Sequence, residues 1–128
     1  MPLSDLIAAL AAATGPSREL DERVAVEVFG WKPLDYAAVN EAYFAEDFSG
    51  VERVADAPAY TSSLDAITGA LEQRWPGVIW SVDNDGACSA CLDILQPTFT
   101  RAEADAASPS LALCLAAARL AAREAGDE

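Results

Sequence analysis

Apolar residues recur at helical spacing from the start of the chain. Leu3, Leu6, Ile7 and Leu10 fall at i, i+3, i+4 and i+7, one stripe of a helix, with Ser4 or Asp5 as its cap. Thr14-Gly15-Pro16 stops that helix, because glycine terminates and proline cannot continue. A second helix is expected from about Pro16, with Glu19, Asp21 and Glu22 near its positive end and Leu20, Val24 and Val28 along its apolar face. Gly30 closes it, and two short helices so close in sequence predict an antiparallel hairpin.

Over 32–57 the pattern predicts a helix capped by Asp35 that carries Tyr36, Val39 and Tyr43 on one face. Phe44 and Phe48 follow four apart, Gly50 breaks the run, and 51–55 reads as a short strand. Further on, Leu64, Ile67, Leu71 and Trp75 make another helical stripe, with Ser62 and Asp65 at capping-box spacing and Pro76-Gly77 as the stop. Gly69 inside it suggests a close approach, since glycine costs a helix interior about 1 kcal/mol relative to alanine.

The second half predicts a β-hairpin. Residues 78–82 are the first strand, Asp83-Asn84-Asp85-Gly86 is turn chemistry, and 87–95 is the return strand, with Cys88, Ala90, Leu92 and Ile94 on one face. Gln96-Pro97 ends it, 98–101 reads as one more short strand and 103–107 as a loop. Ser108-Pro109 then starts a last helix with two apolar stripes, one through Leu111, Cys114, Leu115, Ala118 and Ala122, the other through Leu113, Ala116, Ala117 and Leu120. A helix apolar on two sides is buried on two sides. Residues 126–128 are a tail expected to fray.

Composition changes what chemistry is open. Among 128 residues there are 21 acids, 8 bases and no histidine, for a net charge of −13. The missing histidine removes Ser-His, Cys-His and His-metal mechanisms. The negative charge argues against direct nucleic-acid binding and against an anionic membrane. Three cysteines, Cys88, Cys91 and Cys114, are too few for a disulfide framework and read as reduced thiols of a cytosolic protein. The start lacks a basic secretory n-region, and the apolar run at 111–122 is interrupted by Arg119, so no signal peptide and no membrane span is expected.

Three motifs have plain structural readings. Cys88-Ser-Ala-Cys91 has knuckle spacing, but residues three apart in a strand point to opposite faces, so core cysteines rather than a metal or redox pair are expected. Asp83-Asn84-Asp85-Gly86 lacks the glutamate that would close an EF-hand loop, because that register ends on Leu92. Thr61-Ser62-Ser63 is capping chemistry without a base to activate a serine. No catalytic residue, metal ligand or cofactor motif emerges.

The charge is unevenly spread. Residues 33–65 carry a net −6 through Asp35, Glu41, Glu46, Asp47, Glu52, Asp56 and Asp65 against Arg53 alone. Beside Tyr36 and Tyr43, the acids Asp35, Glu41, Glu46, Asp47 and Glu52 form a candidate partner-binding surface suited to a basic protein face.

Three segments also carry a family resemblance. Ala13-Thr14-Gly15-Pro16-Ser17-Arg18-Glu19-Leu20-Asp21 follows the first helix, Pro58-Ala59-Tyr60-Thr61-Ser62-Ser63-Leu64-Asp65-Ala66 opens the middle one, and Ala107-Ser108-Pro109-Ser110-Leu111-Ala112-Leu113-Cys114-Leu115-Ala116-Ala117 opens the last. In this order and spacing they resemble the phage ABA sandwich domain family, small proteins of bacteriophages and prophages, over about 3–30 and 58–122. The resemblance implies an α-β-α sandwich and supplies no catalytic residue. Residues 31–57 depart from it as a variable acidic and aromatic segment.

Together these readings give one α+β domain over 1–128, with helices on both faces of a small, largely antiparallel β-sheet. The expected function is that of a non-enzymatic, phage-encoded accessory protein of the host bacterial cytoplasm. It would antagonise a host defence protein through its acidic surface, with nucleic-acid mimicry as one route. The alternatives are a sponge for a nucleotide signal, with Arg18, Arg23, Arg74 and Arg101 as its cations, and a minor virion or assembly protein.

Overall fold

The computed structural model describes residues 2–30, 32–33, 42–46, 52–56, 59–85, 87–94 and 100–125. Helix α1 (Pro2–Ala12) buries Leu3, Leu6 and Leu10, the stripe its spacing predicts, with Ile7 partly buried beside them. Helix α2 (Arg18–Glu27) begins two residues later than Pro16. Ser17 keeps an extended backbone and caps it, its side chain accepting from the Leu20 N–H. Leu20, Val24 and Val28 are buried, and the chain leaves the helix through Gly30 at φ 75°, a left-handed turn that a side chain would strain.

Helix α3 (Leu64–Arg74) starts one residue later than the expected capping box. Ser63, not Ser62, is the cap: its hydroxyl accepts from the Ala66 N–H at 3.2 Å. The Ser62 hydroxyl turns back toward the Ala59 carbonyl instead. Of the expected stripe Ile67, Leu71 and Trp75 are buried, whereas Leu64 in the first turn is exposed, and Gly77 at φ 83° makes the stop. The close approach expected at Gly69 is absent: a Cβ there would meet nothing within 4 Å, and nothing in the structure explains the glycine.

Strands β4 (Ile79–Asp85), β5 (Ala87–Ile94) and β6 (Thr100–Ala106) form an antiparallel sheet in that order. The expected hairpin is present, but its ladder runs on through Asp85, opposite Ala87, where turn residues were expected. The loop expected at 103–107 is also corrected. Ala102 pairs with Leu92 and Ala104 with Ala90, so those alanines drop into the core while Arg101, Glu103 and Asp105 stay exposed. Alanine is a weak strand former, yet its small side chain lets a helix lie close on the sheet.

That helix is α4 (Pro109–Ala125), capped by the Ser108 hydroxyl, which accepts from the Leu111 N–H at 3.2 Å. Residues 111–118 are all buried. One side of α4 lies on β4, β5 and β6, while α1, α2 and α3 pack against its other sides. The fold class is therefore α+β, with the helices packed against a small antiparallel sheet. Among the described residues the outer helices lie over α4, and the sheet's second face, with Ile79, Ser81, Arg101 and Glu103, is exposed. Each leucine buried around α4 contributes roughly 1.5–3 kcal/mol.

Strands β1 (Lys32–Pro33), β2 (Ala42–Glu46) and β3 (Glu52–Asp56) make a second antiparallel sheet. Tyr43 and Phe44, read as part of an aromatic helix, lie in β2 instead: strand pairing with β3 takes precedence over their helical spacing. The short strand expected at 51–55 corresponds to β3. Asp35, Tyr36, Val39, Phe48 and Gly50 of that expected helix lie outside the described residues, as do Gln96-Pro97 and the tail. Among the described residues no helix is long and apolar enough to cross a membrane.

Candidate functional site

The candidate acidic surface is placed in part. Asp35, Tyr36, Glu41 and Asp47 lie outside the described residues. Tyr43 and Glu46 are on β2 and Glu52 is on β3. The register sets Glu46 directly opposite Glu52, Tyr43 opposite Ala55, and Asp56 opposite Ala42. Two glutamates thus close one end of the hairpin as a cross-strand pair. Like charges directly opposite one another disfavour the pairing unless a counter-charge is supplied.

A second acidic surface escaped the sequence reading. On the exposed face of β4–β5–β6, Asp83, Asp93, Glu103 and Asp105 share one side with Arg101, the single base there among the described residues. Arg101 donates to both oxygens of Asp93, at 2.7 and 3.2 Å, and Ser89 donates to Asp105 at 2.6 Å. The guanidinium hydrogen bond and charge hold the Asp93 carboxyl below its usual range. The signal was the alternation of charged residues and alanines at 101–106, hidden by their low strand propensity.

The same sheet separates the two nearby thiols. Cys88 is buried on the helix-facing side, whereas Cys91 is half-buried on the other face beside Asp93. The divergence expected of a strand is present, and Cys91 is not a core residue. Burial first, then the Asp93 charge, pushes the Cys91 thiol up. Among the described residues no three His, Cys, Asp or Glu side chains are grouped to hold a metal ion.

A buried polar joint lies deeper. Asp21, 2% exposed, accepts from the Thr61 N–H at 2.7 Å and from the Thr61 hydroxyl at 2.6 Å. The Thr61 oxygen in turn accepts from the Ser17 N–H at 3.0 Å. The Cys114 thiol donates to the Tyr60 carbonyl at 3.3 Å, and the Tyr60 ring lies against Phe29 with centroids 5.1 Å apart. Burial pushes the Tyr60 phenol and the Cys114 thiol well up, and the Asp21 charge adds to both. No buried side-chain oxygen or nitrogen among the described residues lacks a partner. Three distant segments meet here: 13–21 supplies Ser17 and Asp21, 58–66 supplies Tyr60 and Thr61, and 107–117 supplies Cys114. These residues hold α2, the entry to α3 and α4 together.

Three of the four arginines read as candidate cations are engaged by separate carboxylates. Arg18 pairs with Asp21, Arg74 with Glu124 and stacks over Trp75, and Arg101 with Asp93. Trp75 also donates its indole N–H to Glu124, tying the end of α3 to the end of α4. Arg23 lines an open groove of about 490 Å³ between α1 and α2 with Glu19, Ser17 and a wall of alanines.

Set against known proteins, the chain matches no family model, no curated protein and no solved structure.

Proposed function

We propose that this chain is a non-enzymatic accessory binding protein, encoded by a phage or prophage and acting in the host bacterial cytoplasm. It would engage a basic face of a host defence protein through the acidic segment around β2 and β3. The observation that carries this reading is the register that sets Glu46 opposite Glu52 within the most acidic stretch of a chain of net charge −13. Like charges set opposite one another across a strand pair disfavour the pairing, and a lysine or arginine from a partner would offset that. The resemblance of the three segments to the phage ABA sandwich family supplies the setting.

The sponge reading draws less support, because Arg18, Arg74 and Arg101 are each engaged by a different carboxylate in a different part of the fold. The test is affinity capture of the tagged protein from host lysates, with bound proteins identified by mass spectrometry. The reading expects one host protein with a basic surface, released by high salt. Recovery of the protein alone from every host tried would refute it.

A further inference from the structure

The two edges of the β4–β5–β6 sheet are treated differently. At β6, two side chains from α4 are bonded to the strand backbone. Arg119 donates to the Glu103 carbonyl at 2.7 Å, and Arg123 donates to the Arg101 carbonyl. Spaced one helical turn apart, they occupy two carbonyls along that strand. An edge tied up in this way is a poor template for another chain.

Over 79–82 of β4 no such tie is present among the described residues. Among the described residues, no backbone or side-chain group outside β5 hydrogen-bonds to 79–82. Two of the exposed large apolar side chains are here, Ile79 at 53% and Trp80 at 36% exposure. The two faces flanking this edge differ. Trp80 and Val82 pair with Leu92 and Ala90 and share the apolar, helix-facing side. Ile79, Ser81 and Asp83 share the opposite side with Asp93, Glu103 and Asp105, where Arg101 is the single base among the described residues.

We propose that β4 is a strand-docking edge, and that its occupant is an extended segment of a partner protein in which lysine or arginine alternates with apolar residues. Main-chain hydrogen bonds to β4 would supply much of the affinity, as in strand addition generally. The period of two in a strand sends the segment's apolar side chains toward Trp80 and Val82 and its basic side chains toward the carboxylate face. A second copy of this chain fits less well, because it would bring the same carboxylates and a charge of −13 to the joint. This surface is separate from the acidic segment of β2 and β3 and does not depend on it.

The test is amide hydrogen exchange of the whole protein, followed by NMR, with a short synthetic peptide alternating lysine and valine as the probe. Peptides alternating glutamate and valine, or carrying a central proline in the lysine sequence, are the controls. The expected result is that the lysine peptide alone slows exchange by about ten-fold or more at alternate amides of β4 and leaves β6 unchanged. Val82→Pro should abolish this protection, since proline on an edge strand removes a donor at modest cost to the sheet. If that variant fails to fold, Ile79→Lys is the second, with the lysine peptide expected to bind at least about ten-fold more weakly. Replacing Glu46 and Glu52 by glutamine should leave peptide binding unchanged, which separates this site from the one proposed above. No protection, protection at β6, or equal protection by the glutamate peptide would overturn the proposal. So would concentration-dependent protection of β4 without any peptide, which would make a second copy the occupant.

Discussion

Thr61 gives both of its donors to one oxygen of Asp21, a residue 40 positions earlier in the chain, at 2.7 Å from the backbone and 2.6 Å from the hydroxyl. The carboxylate is buried, so neither donor has water to fall back on. Thr61→Val keeps the shape and removes the hydroxyl. It should cost about 1–3 kcal/mol, the range for leaving a buried polar partner unsatisfied. Asp21→Ala should cost at least as much, because the Thr61 N–H is then stranded and the hydroxyl keeps only the Ser17 carbonyl at 3.2 Å. Urea unfolding of both variants checks this, and a loss within about 0.5 kcal/mol for either would show that the joint does not hold α2 to the entry of α3.

Ser62 and Ser63 are neighbours with different roles. Ser63→Ala removes the cap of α3 and should cost about 1 kcal/mol. Ser62→Ala touches an exposed, long hydrogen bond and should stay within about 0.5 kcal/mol. Thermal unfolding of the two single variants distinguishes them, and the reverse order would return the cap to Ser62.

Alkaline pH should weaken the fold. Burial raises the Tyr60 and Cys114 groups in the folded state, so the unfolded chain loses those protons first. Their contribution is complete below the unfolded cysteine value of about 8.5 and declines as pH rises above it toward the raised folded values. Cys114→Ala and Tyr60→Phe should each flatten that decline in chemical denaturation followed from neutral to alkaline pH. In the native protein, Cys91 should be alkylated first, while the buried Cys88 and Cys114 wait for unfolding. Mass spectrometry of partly alkylated protein gives the order.

The small residues of β6 are a packing requirement. Ala104 is buried, with its strand under α4, so Ala104→Leu should cost about 1–3 kcal/mol through overpacking. Ala104→Gly should cost less in packing and more in strand propensity. Unfolding midpoints of the two variants test whether this alanine faces the helix.

These variants also mark where the sequence was readable. Helices α1 and α3 follow apolar stripes on one face, Leu3, Leu6 and Leu10 in the first and Ile67, Leu71 and Trp75 in the second, while α4 carries two such stripes, and Ser108-Pro109 marks the start of α4 to the residue. Strand β6 was hidden because Thr-Arg-Ala-Glu-Ala-Asp-Ala has neither β-branched nor aromatic residues beyond its threonine, and only contact with α4 gives its alternation meaning. Tyr43 was hidden for the opposite reason: its spacing from Tyr36 and Val39 fits a helix, and only pairing with Ala55 makes it a strand residue. Asp21 looked like a helix-dipole acid, since nothing near it in sequence points to Thr61. Glu46 and Glu52 were picked out by charge, but that they face each other is a property of register.

The most direct test of an acidic binding surface is to reverse its charge and compare it with an equal reversal elsewhere. Glu41→Lys, Glu46→Lys, Asp47→Lys and Glu52→Lys together alter the candidate surface. Glu19→Lys, Glu22→Lys, Glu27→Lys and Glu72→Lys make the same change in charge on α2 and α3. Host protein captured by each variant would be measured at low and high salt, with melting temperature as the check on folding. Loss of capture by the first variant only, with both proteins folded, is the predicted result. Unchanged capture by the first variant, or equal loss by both, would contradict a defined acidic site.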